Sequence, residues 1–137
     1  MNKLKLIFAF CFMLSMITLV ACGDDVVSED ASEVTARVTT ITALEAELMM
    51  LDDVIIVDVR NQDEFVGGHI PGAILLPAPE IRENAERMLP DKNQVILVYC
   101  RSGARSAAAA RELVSLGYTE VYDFGGILDW HGEIVGG

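Results

Sequence analysis

Residues 98–106, VYCRSGARS, join an apolar run to an alanine-rich one through one cysteine, two arginines and a few small residues. A thiol attacks as the thiolate, so the first question is what would ionise Cys100. The N–H groups that open a helix lack intrahelical partners and carry the positive end of its dipole. A turn leading from a strand into a helix therefore forms a concavity for anions. Ser102, Gly103 and Ala104 are small enough for the backbone to curl closely, and Gly103 takes a positive φ without strain. Arg101 and Arg105 add cations. Such surroundings bring a cysteine from ~8.5 down to ~3.5–7.5, so Cys100 is expected to be an activated nucleophile at neutral pH. Arg105 begins the helix and can fold back over the ring, whereas Arg101 reads equally well as a solvated cation. The competing reading of Cys100 is a small buried hydrophobe ending a strand; the two arginines count against it. The two histidines, His69 and His131, are far apart in sequence, and with one cysteine they make no standard zinc spacing. His69 lies in a glycine-proline loop and reads as structural.

The elements around this loop follow from hydrophobic periodicity. Residues 38–41 read as a short strand. Thr42 and Glu45 form a capping box, and Leu44, Leu48 and Leu51 give the helix that follows an apolar stripe, ended by Asp52-Asp53. Residues 54–57 (VIIV) and 95–99 (VILVY) are continuous apolar runs, the mark of strands buried on both faces. Residues 63–66 suit one helical turn, 67–72 a loop punctuated by glycine and proline, and 73–76 a short strand. Helical periodicity runs over 79–89, and a second helix over 104–116 stops at Gly117. Residues 120–122 read as a last strand and 127–131 as a final helical turn. Strands alternating with helices imply an α/β fold, a mostly parallel sheet covered on both faces. Sites in such sheets lie outside the carboxyl ends of the strands, which is where Cys100 sits.

The first 22 residues, MNKLKLIFAFCFMLSMITLVAC, differ from the rest. Lys3 and Lys5 precede an uncharged apolar run over 6–20, the length of a signal core rather than of a membrane span of ~20 residues with flanks. Leu19-Val20-Ala21-Cys22 resembles the lipobox of bacterial lipoproteins. That resemblance implies cleavage before Cys22, acylation of Cys22 and export to the cell envelope on a lipid anchor. A plain secretory signal or an uncleaved anchor are the alternatives. Gly23 rather than an aspartate follows the cysteine, which favours the outer membrane if the cell has two. Residues 22–36 hold five acids and little periodicity and read as a flexible tether. The expected organisation is a signal over 1–21, a tether over 22–36 and one domain over 37–137. In the mature chain Cys100 would be the single free thiol. The formal charge of −11 becomes −13 once the signal, with its two lysines and no acids, is removed. Such a chain does not bind nucleic acid through its net field.

Five motifs in register then resemble the rhodanese domain. They are Asp58-Val59-Arg60, Glu64-Phe65, the run Gly68-His69-Ile70-Pro71-Gly72-Ala73, the run from Cys100 through Arg101-Ser102-Gly103-Ala104-Arg105 to Ser106, and Gly125-Gly126 with Trp130. The resemblance covers the chain from about Arg37 to Gly132. It implies a sheet of about five parallel strands with the active loop after a central one. It also implies that Cys100 takes a sulfane sulfur from a donor such as thiosulfate, holds it as a persulfide and passes it to cyanide, a thiol or a protein acceptor, without a cofactor. The backbone from Arg101 to Arg105 would cradle the persulfide, Arg101 and Arg105 would hold the donor's sulfonate, and Asp58, Arg60, Glu64 and His69 would brace the fold. Two rival activities stand beside this one. A cysteine-dependent phosphatase or arsenate reductase on the same fold has five residues between cysteine and arginine; here there are four, a smaller ring that favours sulfur. A persulfide carrier or partner-binding module would keep the cysteine and turn over poorly alone. The acidic chain should repel a dianionic donor while the ring attracts it, so salt is expected to act weakly on donor affinity.

Overall fold

Strand β4 (Ile96–Cys100) is the centre of the molecule, and all five of its residues are buried. In the computed structural model, which describes residues 36–137, β4 pairs in parallel with β2 (Ile55–Asp58) on one side and β5 (Glu120–Gly126) on the other. The edges are β1 (Arg37–Thr40), parallel to β5, and β3 (Ile74–Leu75), parallel to β2. The order β1-β5-β4-β2-β3 is a five-stranded parallel sheet, as the apolar runs and their alternation with helices imply. The signal segment, Cys22 and the tether through residue 35 lie outside the described residues.

Because side chains alternate along a strand, β4 feeds two cores. Ile96, Val98 and Cys100 enter the one closed by α3 (Ile81–Met88) and α4 (Ala104–Ser115), through Ile81, Ala85, Ala109, Ala110 and Leu113. Leu97 and Tyr99 enter the other, with Phe124, Ile70 and Ala46 of α1 (Ala43–Met49). The alanines of α4 let its axis lie close over β4 and β5. The last helix, α2 (Gln62–Val66), is a single turn that carries its own capping box between Asn61 and Glu64.

Three expectations change. Leu44, Leu48 and Leu51 share a face, but that face is exposed, at 67, 60 and 83%. Ala46 is the buried residue, with Met49 and Met50 beside it. The spacing identified residues on one face of α1, and the opposite face, which is also apolar, is the one that packs. The helical run beginning at Pro79 opens as a 3₁₀ turn, Ala78–Glu80, before α3. Finally, β5 continues four residues beyond Tyr122, through Asp123 and Phe124 to Gly125 and Gly126.

Candidate functional site

The extension of β5 shapes the site. Val98 pairs with Asp123, but Cys100 pairs with Gly126, so β5 holds one extra residue against β4. This is a β-bulge, which re-aims the backbone at a strand end. Gly125 sits in it at φ +86°, a region open to glycine. The bulge brings Gly126 directly beneath the loop that follows Cys100. A Cβ on Gly126 would overlap the Arg101 carbonyl oxygen and lie 2.7 Å from Ser102 Cα. Glycine is thus required here by close approach alone.

Above this floor the chain turns at Gly103, φ +100°, and enters α4 with no side chain capping its first turn. The freed N–H groups are turned toward sulfur. Gly103 N–H donates to Cys100 Sγ at 3.1 Å. Burial of Cys100, which is 1% exposed, pushes its thiol up. The N–H groups of Ser106, Gly103 and Ser102 together outweigh that effect, and the net shift is downward, toward the thiolate. Buried Ser106 braces the ring from behind: its hydroxyl is 2.9 Å from the Gly103 carbonyl oxygen and 3.1 Å from that of Gly125. One O–H thereby ties the loop to the bulge.

Ser102 and Gly103 turn N–H groups to Cys100 and Arg105 carries its charge beside it, while Arg101 and Ala104 follow in the same loop; the two arginines differ. Arg101 is exposed and forms no ion pair among the described residues; its carbonyl accepts from Leu128 N–H at 3.3 Å. Arg105 is held by α2. Its Nη1 and Nη2 donate to the two oxygens of Glu64 at 2.7 and 2.8 Å. Those bonds hold the Glu64 carboxyl at about 2, well below the usual carboxylate range, against the opposing effect of burial. The same guanidinium is charge-coupled to Cys100. Glu64, read from the sequence as a brace, therefore belongs to the charge set of the site.

The remaining motif residues form the frame. Buried Asp58 accepts from Arg60 Nε at 2.9 Å and from Arg60 Nη2 at 2.6 Å, and Nη2 also donates to the Gly68 carbonyl at 2.7 Å. Arg60 lies over the Tyr99 ring, whose hydroxyl accepts from Ile70 N–H. His69 stacks on Phe65 with 3.8 Å between ring centroids, and its Nδ1 is bonded to the Phe65 carbonyl. Its backbone pairs with Val135. Sequence reasoning passed over Ser106 and Gly126 as site residues, although both stand inside the motifs it quoted.

The rhodanese-like domain family matches residues 41–133. The chain belongs to the rhodanese family and carries one rhodanese-like domain. It is 40% identical over 92 residues to the thiosulfate sulfurtransferase GlpE of Coxiella burnetii, an alignment covering 66% of this chain and 84% of the relative. It is 38% identical over 73 residues to the thiosulfate sulfurtransferase PspE of Escherichia coli, covering 53% and 70%. Among solved structures it is similar to a rhodanese with anions from E. coli, at 36% identity and a TM-score of 0.57, over 61% of this chain and 98% of that one.

Proposed function

We propose that this protein is a sulfurtransferase that moves a sulfane sulfur from a donor such as thiosulfate, through a persulfide on Cys100, to a thiol or to cyanide. The observation that carries this reading is the amide cage: a nearly covered sulfur that accepts a hydrogen bond from Gly103 N–H, with further N–H groups stabilising its ionised form. In the first step the Cys100 thiolate attacks the outer sulfur of thiosulfate. A sulfur–sulfur bond forms to Cys100, the old one breaks, and sulfite leaves with the electron pair. In the second step an acceptor thiolate or cyanide attacks the outer sulfur of the persulfide and the Cys100 thiolate leaves. No proton need move in either step, so no general base is asked of His69, whose Nδ1 is bonded to the Phe65 carbonyl. With Cys100 only 1% exposed, a slim sulfane sulfur or cyanide reaches it more readily than a bulky phosphate ester.

The backbone from Arg101 to Arg105 cradles the transferred sulfur, and Arg101, unpaired among the described residues, meets the donor's anionic end. The sequence at Ala21-Cys22 supports a lipid anchor on Cys22 and a place at the cell envelope; membrane fractionation of a Cys22→Ala variant tests this, with release from the membrane expected. The activity is tested by mass spectrometry of the Cys100 peptide after thiosulfate. One added sulfur, removed by cyanide with thiocyanate formed, is expected. No adduct on Cys100 overturns the reading. A stable adduct that small acceptors fail to remove replaces it with a persulfide carrier that needs its own protein partner.

A further inference from the structure

We propose that Glu64 sets the charge of the donor: by occupying Arg105 it makes the pocket nearly neutral, and so fits it to sulfane donors with one negative charge over the dianion thiosulfate. This rests on the sulfurtransferase reading and concerns the substrate class of the same site. Glu64 and Arg105 are 41 residues apart in sequence and meet end-on through two bonds of 2.7 and 2.8 Å. Their side chains are 21% and 39% exposed, so the pair is partly shielded from solvent. Around Cys100 the thiolate and Glu64 stand against Arg105 and the neighbouring Arg101, two negative charges against two positive. With Arg105 offset by Glu64, Arg101 and the backbone amides are what is left to favour an incoming anion. An organic thiosulfonate, R–SO2–S⁻, asks less of such a pocket than thiosulfate. Attack by the Cys100 thiolate on its terminal sulfur forms the same persulfide and expels the sulfinate R–SO2⁻ with the electron pair.

Glu64→Gln isolates the charge. Glutamine keeps an oxygen for the Asn61 N–H, as capping boxes use either residue, and it still accepts one bond from Arg105. Coulomb energy scales with ligand charge, so removal of one negative charge favours a dianion by the square of the factor that it favours a monoanion. The donor kcat/KM is expected to rise about ninefold for thiosulfate and about threefold for methanethiosulfonate, a shift of about threefold in their ratio. Changes in the thiolate itself act on both donors and cancel in the ratio. Glu64→Asp keeps the charge and spoils the two-point geometry; its ratio is expected to stay at the wild-type value. An unchanged ratio in Glu64→Gln, or the same shift in both variants, overturns the proposal and leaves Glu64 as a brace. The unaltered protein gives an independent check. Iodoacetate, an anion, and neutral iodoacetamide should label Cys100 in the rate ratio of a simple free thiol. A tenfold preference for iodoacetate above that ratio would mean that Arg105 remains available to anions, and the proposal fails. Wild-type protein that forms no persulfide with either donor refutes sulfur transfer, yet the labelling ratio still reads the pocket's charge.

Discussion

Sulfur at position 100 is nearly covered, and burial alone would make it a weak acid; three backbone N–H groups reverse the sign. The consequence for single residues is sharp. Cys100→Ser keeps a hydrogen-bond acceptor of similar size, so the fold should survive with its circular dichroism intact while persulfide formation falls to background. Retained sulfur transfer would place the chemistry elsewhere. Ser106→Ala removes the hydroxyl that reaches two half-buried carbonyls. A loss of about 1–2 kcal/mol is expected by denaturant unfolding, together with a rise in the thiol's titration midpoint, since the Ser106 side chain also favours the thiolate. The loop itself was legible because its parts are local: one cysteine, small residues, and a helix start within six positions. Glu64 was not, because nothing local joins it to Arg105.

Elements bring the distant pieces together, and here sequence reading was uneven. The capping box at Thr42 and Glu45 forms as written, with Glu45 N–H donating to Thr42 Oγ1 at 3.2 Å. The inward face of α1 was not legible, because both faces carry apolar residues and only the neighbouring sheet decides between them. Nor was the bulge in β5, since a Gly-Gly pair reads as a stop until the loop that lies against it is known. Gly126→Ala tests that contact. Its methyl group cannot be accommodated without moving the backbone of Arg101 and Ser102, so a loss of about 1–3 kcal/mol and of most sulfur transfer is expected. Unaltered activity would mean that the loop does not rest on β5. The clasp between α2 and α4 has its own signature in acid. Arg105 depresses the Glu64 carboxyl to about 2, so the stability it contributes is complete above the normal carboxylate range and is lost as pH falls toward 2. Wild-type protein should therefore lose more stability across that window than Glu64→Gln, measured by unfolding at each pH. Parallel losses would show that the clasp carries no such linkage.

Across the whole molecule the charge of −11 acts on every approaching anion. Sequence reasoning set the field of the acidic chain against the positive ring around Cys100 and expected salt to act only weakly. With Arg105 committed to Glu64 the local attraction is weaker, and long-range repulsion should prevail. Raising ionic strength shortens the screening length from about 14 Å at 0.05 M to about 5 Å at 0.4 M. Thiosulfate kcat/KM is expected to rise about twofold over that range, and a fall would mean that a free cation dominates the approach. The sheet, by contrast, was largely legible at this scale. Two apolar runs fixed the central strands, and alternation with helices fixed the parallel order.

The titration of Cys100 itself is the most direct test. Thiolate ultraviolet absorbance can be followed against pH in the native protein, with Cys100→Ser as the blank. The amide cage predicts a midpoint below the ~8.5 of an ordinary cysteine. A midpoint at or above that value would contradict it.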